Sequence, residues 1–276
     1  VLAEMTLPAA PVWDGMAAAG GNLYIALKNG ETLCLWDAAS GRDGTPLSQA
    51  AWHTRLPELV LAEEPGLIGR WRFDEGVGML ARDCSGRGHA ARVSGQWHQD
   101  DSGVSLATNG TPHAAVIPDA PHLRFGNDSF TLALWVNVRE HGARLLGKEA
   151  FPENWWVINL VDSGHAEMVL GEGRGKGQNV RAKTGSPLVI GTWHHLVAVV
   201  DRAAQEVRWY LDGALDGRKS IPESMTQGLR AAGKDITIPS LHKPFRGFVG
   251  DFRIYKQALT EQRVRHLFEQ GTPNAI

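Results

Sequence analysis

Glu167 and Glu172 come closest in this chain to a carboxyl pair that could cut a glycosidic bond, with Glu149 and Glu153 after them. That chemistry needs two carboxyl groups about 5–5.5 Å apart for retention, or about 6.5–9.5 Å apart for inversion. Glu172 falls in the glycine-rich run Gly171–Gly177, GEGRGKG, and Glu149 and Glu153 flank Phe151-Pro152, which reads as a turn. The expectation is that no catalytic pair forms. His194 and His195 suit metal or proton-transfer chemistry by type, but strand neighbours point to opposite faces and do not easily share one ion. They read as structural. The run Gly171–Gly177 has no helix after it and no closing Lys-Ser/Thr, so it reads as a hairpin tip rather than a phosphate loop.

Oxygen ligands concentrate in Leu67–Ala90, LIGRWRFDEGVGMLARDCSGRGHA, where Asp74, Glu75 and Asp83 sit among glycine hinges. A hard cation such as calcium takes about six to eight oxygens from carboxylates, carbonyls and water. The competing reading has Asp74 and Glu75 capping turn amides and Asp83 making an Asx-turn with Ser85-Gly86.

Composition bounds the rest. A chain of 276 residues that is 43% hydrophobic can bury a large core. A net charge of −2 gives no electrostatic footprint for nucleic acid. No apolar run approaches the roughly 20 residues of a membrane span, so no membrane insertion is expected. With 32 Gly and 10 Trp against 3 Tyr, the chain is rich in turns and in flat indole faces that can stack on sugar rings. It begins at Val1 without a signal peptide, which suggests a piece of a longer precursor. Cys34 and Cys84 fit either free thiols or one bridge.

These residues need elements to hold them, and the chain reads in three parts. Residues 1–37 form a β-meander, with strands Gly15–Ala19, Leu23–Leu27 and Thr32–Trp36 separated by Gly20-Gly21-Asn22 and by Lys28-Asn29-Gly30-Glu31. The wording VWDGMAAAGGNLYIALKNGETLCLWD resembles the last blade of a quinoprotein-type β-propeller. That resemblance implies an upstream propeller domain in the parent protein. One blade cannot hold a quinone, so no such cofactor is expected. Residues 38–65 read as a linker with Pro46, Pro57 and Pro65 and a short helical turn near Glu58–Glu63. Residues 66–276 make the third part, in which strand candidates recur from 66 to 255 at the spacing of a sandwich. They are Leu67–Phe73, Ala90–Val93, Gly103–Ala107, His113–Ile117, Ser129–Val138 and Arg144–Glu149. Further along come Trp155–Val161, His165–Leu170, Asn179–Lys183, His194–Val200, Val207–Leu211, Ile236–Ile238 and Phe248–Tyr255. One helix closes the chain, with Thr260 as N-cap, Val264, Leu267 and Phe268 on one face, and Gly271 as the stop.

Four segments in order resemble the LamG-like, concanavalin A-like lectin/glucanase family: GRWRFDEGVG…ARDCSGRGHAA at 69–91, SFTLALWVNV at 129–138, GTWHHLVAVVD at 191–201 with VRWYLDGAL at 207–215, and GFVGDFRIYKQALTEQRVRHLFEQG at 247–271. The resemblance implies an all-β fold, a concanavalin A-like jelly-roll sandwich of two antiparallel sheets. It implies a carbohydrate-binding, lectin-type module; a protein-interaction or spacer domain and a hydrolase with an atypical carboxylate pair are the alternatives. Catalytic relatives carry E-x-D-x-x-E on one strand, and that motif is absent here. Relatives often hold a structural calcium near the first and last strands. The matching last-strand carboxylate is Asp251, with Asp74, Glu75 and Asp83 as its early partners. A polysaccharide or glycan would lie on the concave sheet, where strand parity and composition suggest Trp155, Asn159, Trp135, Arg144 and Arg181. Such a module is expected in a secreted, periplasmic or cell-surface bacterial protein.

Overall fold

A computed structural model describes residues 64–151, 153–173 and 177–271, together with the backbone of strands at 11–19, 22–27 and 32–36. The chain divides into two compact units, Val1–Glu64 and Pro65–Ile276. In the first, β1 (Pro11–Ala19), β2 (Asn22–Leu27) and β3 (Thr32–Trp36) form an antiparallel meander. The helical turn near Glu58–Glu63, most of the linker, and the side chains on which the propeller resemblance turns lie outside the described residues.

The second unit is a jelly-roll sandwich of two eight-stranded antiparallel sheets. The first sheet runs β17 (Ala214–Ser220), β16 (Glu206–Leu211), β15 (Trp193–Asp201), β10 (Phe130–Val138), β19 (Gly247–Tyr255), β8 (Gly103–Ala107), β7 (Gln96–Asp100), and β4 (Leu67–Trp71) also pairs with β19. The second runs β14 (Asn179–Lys183), β13 (Ala166–Gly171), β12 (Asn154–Leu160), β11 (Ala143–Ala150), β18 (Ile236–Ile238), β9 (Ala115–Ile117), β6 (Ala91–Val93), β5 (Leu80–Ala81). Three of these strands, β5, β7 and β17, carry no clear sequence signal. β5 has only two residues, and β7 and β17 lie at sheet edges with mostly exposed side chains. Without one buried face, a strand shows no alternation to read.

Alternation explains the layers. On β10, Leu132, Leu134 and Val136 enter the core between the sheets, while Ala133 turns to the other side. Across the core, Trp156, Ile158 and Leu160 on β12 and Met168 and Leu170 on β13 meet them. Each such side chain contributes about 1.5–3 kcal/mol when fully removed from water. Trp209 on β16 ties the layers together, because its indole N–H donates to the carbonyl of Ala182 on β14 at 2.8 Å.

The helix α1 (Glu261–Glu269) decides which outer face stays open. Thr260 caps it by accepting from the Arg263 amide, and Gly271 follows it at φ +86. Val264 and Leu267 press onto Ala133, Val197, Val199, Tyr210 and Tyr255, the outer face of the first sheet. That face is therefore closed with apolar packing, while among the described residues the outer face of the second sheet carries no such cover.

Trp135 accordingly lies elsewhere than expected. It sits on β10 in the first sheet, 5% exposed, with its ring 5.8 Å from Phe268 of the helix and 5.1 Å from His195. Its parity is right, outward from the core, but the face belongs to the other sheet. Parity assigns a side of a strand and is silent about which sheet the strand joins.

Candidate ligand-binding cleft

The open outer face of the second sheet is built by register. Strands β11 to β14 bring together three cross-strand rows. One is Glu149, Trp155, Gly171 and Asn179, the next is Gly147, Val157, Val169 and Arg181, and the third is Arg144, Asn159, Glu167 and Lys183. The face therefore runs from an aromatic row through an apolar one to a charged one. It opens into a cleft of about 610 Å³.

The glycines of these rows are needed for their lack of a side chain. A β-carbon on Gly171 would stand 2.2 Å from Cζ2 and 2.4 Å from both Cε2 and Cη2 of Trp155. Three ring atoms nearly equidistant from one point mean that the indole covers Gly171 with its face. Its inner face is thus spent on the sheet, and its outer face turns to the cleft. Phe151, 60% exposed, meets Trp155 edge-on with ring centroids 5.0 Å apart. Gly147 similarly leaves room for Val157, whose Cγ1 lies 2.6 Å from where a β-carbon would be.

The charged row is held by ion pairs. Arg144 Nη1 lies 2.7 Å from Glu149 Oε2, and Ser240 Oγ donates to the other oxygen of Glu149. Arg181 Nη1 lies 2.7 Å from Glu167 Oε2, and Lys183 Nζ is 3.8 Å from Glu167 Oε1. The Asn159 amide donates to Glu167 Oε2 at 3.4 Å, and its carbonyl oxygen has no partner among the described residues.

Of the residues expected to bind ligand, Trp155, Arg144 and Arg181 line the cleft. Asn159 lies on the same face, between Arg144 and Glu167 in register. Trp135 is not with them. Sequence reasoning missed Phe151 and His242, which also line the cleft. The hairpin pairing of Glu149 with Trp155 could have pointed to Phe151, which lies in the turn between them. No local pattern marks His242, which comes from a loop distant in the chain.

The carboxylates do not make a hydrolytic pair here. Glu149 and Glu167 share the face, but four residues along the strands and two strand spacings place their backbones roughly 16 Å apart. Glu172 is turned away, buried against Arg202 at 2.9 Å and the Gln227 amide at 2.8 Å. The histidines have separate surroundings. The Val189 amide donates to His194 Nε2, so the proton on Nδ1 is the one donated to Asp212 at 2.8 Å. His195 packs on Trp135 and Phe268.

The four residues expected to hold calcium do not converge. Asp251 is 6% exposed and enclosed by arginines, with Arg70 Nε 2.8 Å from Oδ1 and Arg253 Nε 2.9 Å from Oδ2. Burial would raise its pKa, but Arg253 and Arg70 outweigh burial and hold it below the usual carboxylate range. Asp83 accepts from the amides of Arg70, Ser85 and His89. Glu75 accepts from the Arg82 amide at 2.8 Å, and Asp74 pairs with Arg72. Among the described residues no three metal-binding side chains gather at one point. A site whose central carboxylate is already neutralised by two guanidiniums does not fit a divalent cation. Cys84 is a free, exposed thiol, and the Cys34 side chain lies outside the described residues.

The family model described as the concanavalin A-like lectin/glucanases superfamily matches residues 108–265. No curated protein matches the chain in sequence. Among solved structures, the binding domain of Paraclostridial mosquitocidal protein 1 is similar with a TM-score of 0.61 at 19% identity, over 74% of this chain and 52% of that one. Domain 4 of AbnA, a GH43 extracellular arabinanase from Geobacillus stearothermophilus solved in complex with arabinotriose, is similar with a TM-score of 0.58 at 20% identity, over 74% of this chain and 99% of that one. The botulinum neurotoxin serotype G binding domain is similar with a TM-score of 0.58 at 13% identity, over 74% and 51% of the two chains. The match thus spans about half of each toxin domain and nearly all of the arabinanase domain. At these identities the likeness is one of fold.

Proposed function

We propose that this chain, which belongs to the concanavalin A-like lectin/glucanase superfamily, is a non-catalytic carbohydrate-binding module of a larger exported protein. The observation that carries the reading is the indole of Trp155, laid over Gly171 with its outer face toward an open cleft. Carbohydrate rings present flat apolar C–H faces edged by hydroxyls, and a recognition site for them pairs an aromatic platform with a few placed polar groups. Trp155 and Phe151 supply the platform, and Arg144, Asn159 and Arg181 supply the polar groups. Four strand residues separate the row of Trp155 from that of Asn159, about 13 Å. That length suits a short oligosaccharide better than a single sugar. Support also comes from the arabinanase domain of like fold, which was solved with arabinotriose. That enzyme is extracellular, which fits the exported setting proposed here.

Affinity electrophoresis of the full chain in gels containing different polysaccharides tests the reading. Retardation by at least one glycan is expected, and Trp155→Ala should weaken it about tenfold or more. Absence of retardation across neutral and charged glycans would sink it.

A second reading, a protein-interaction or spacer module, has one observation behind it. Val77, Met79 and Leu80, on β5 and the segment leading into it, stand 77%, 78% and 53% exposed. Association with another protein that Met79→Glu abolishes and Trp155→Ala leaves intact would favour it.

A further inference from the structure

Resting on the carbohydrate reading above, we infer that the glycan taken by this cleft is anionic, bearing carboxylate or sulfate groups. Positive charge is the more exposed charge on this face. Arg181 and Lys183 are 62% and 52% exposed, while Glu167, which they share, is 4% exposed beneath them. Arg144 is 34% exposed against 26% for its partner Glu149. Glu167 therefore holds Arg181 and Lys183 from below, where they meet the solvent, and Arg144 lies beside a carboxylate of similar exposure.

The pattern continues past the cleft. The Arg144 amide donates to the Lys243 carbonyl at 2.7 Å, and the Phe245 amide donates back to the Arg144 carbonyl at 3.1 Å. This short ladder joins the cleft to a second cavity of about 300 Å³, lined by Lys243 and Arg246 together with Glu140. Lys243 is exposed and has no carboxylate partner among the described residues. Arg246 is 60% exposed and sits 3.5 Å from Glu140, itself 48% exposed. Among the described residues that line the two cavities, Arg144, Arg181, Lys243 and Arg246 outnumber Glu140 and Glu149. A chain whose net charge is −2 thus carries a local cationic track.

The hydrogen-bonding capacity matches. Arg144 and Arg181 each engage their carboxylate through Nη1 alone, so Nε and Nη2 keep donors to spare among the described residues. A guanidinium edge presents two parallel donors at the spacing of two oxygens of a carboxylate or sulfate. A neutral sugar would use the Trp155 platform and accept hydrogen bonds from Arg144 and Arg181, and would leave the positive charge of the track without a role.

The test uses the full chain and three polymers: polygalacturonate, the same polymer fully methyl-esterified, and a sulfated galactan. Titration calorimetry at low salt should show the acid form binding about tenfold or more tightly than its ester. That gap should narrow as salt rises. Arg181→Gln, checked for an unchanged melting temperature, should remove most of the preference. A preference for the sulfated polymer over the carboxylated one upholds the inference and assigns the sulfate source. Equal affinity for the acid and its ester overturns the inference while leaving the carbohydrate reading intact. Binding to none of these, nor to a neutral arabinan, overturns both.

Discussion

The indole of Trp155 occupies the space that a β-carbon on Gly171 would fill, with ring atoms 2.2–2.4 Å from that point. The two residues are direct cross-strand partners on β12 and β13. The glycine thus sets how closely the ring lies on the sheet, and through that how deep the cleft is at its aromatic end.

Gly171→Ala should therefore act on binding more than on folding. Alanine in a strand loses less backbone entropy than glycine, by about 0.5–1 kcal/mol, which opposes destabilisation. The new methyl lifts a half-exposed ring that has room to move outward. Affinity for the bound glycan should fall about fivefold to tenfold while the melting temperature changes by only a few degrees. Calorimetric titration beside a thermal melt checks both, and unaltered affinity would contradict the role given to the glycine.

Trp135 should behave in the opposite way. It is packed between the first sheet and the helix, away from the cleft. Trp135→Ala should cost about 3–5 kcal/mol of stability, as loss of a large buried aromatic does. The fraction that remains folded should bind glycan with undiminished affinity, as read by titration well below the melting temperature.

Asp251 is the counter-charge of two arginines, Arg253 buried and Arg70 28% exposed, and removing it takes away the carboxylate that both guanidiniums share. Asp251→Ala should destabilise by about 3–5 kcal/mol in urea unfolding. Millimolar calcium should leave the wild-type melting temperature where it is. A calcium-dependent rise of several degrees would show that Asp251 serves an ion instead.

His195 makes folding sensitive to mild acid. Burial, and after it the charge of Arg253, drives its pKa down from 6.5 to about 4. The unfolded chain takes up this proton first, so stability is highest above pH 6.5 and declines as pH falls toward 4. The decline attributable to this ring is at most roughly 3 kcal/mol. His122, also depressed chiefly by burial, adds to the decline in the same direction. Asp119, held at about 2 by Arg124 and Lys148 against its burial, contributes only at lower pH. Urea midpoints measured from pH 7.5 to 4.5 should fall less steeply in His195→Gln than in the wild type. Identical slopes would show that the imidazole takes up its proton equally in the folded and the unfolded chain, contradicting the depressed pKa.

Much of this protein was open to reading from its residues alone. Alternation along 129–138 and 155–161, the capped helix after Thr260 and the four ordered motifs were enough for a two-sheet sandwich with one closing helix. They also placed Trp155, Asn159, Arg144 and Arg181 on one side of their strands, because side-chain parity is a local property of the backbone. Three things depended on the tertiary structure. The helix covers one outer face and leaves the other open, which buries Trp135 and exposes Trp155 despite the same local pattern. Register across four strands sets Gly171 under the indole and Glu167 under Arg181, and register is a relation between strands. The pairing of Asp251 with Arg70 joins residues 181 positions apart. Sequence shows which groups carry charge, but only the packed chain decides which opposite charge reaches them first.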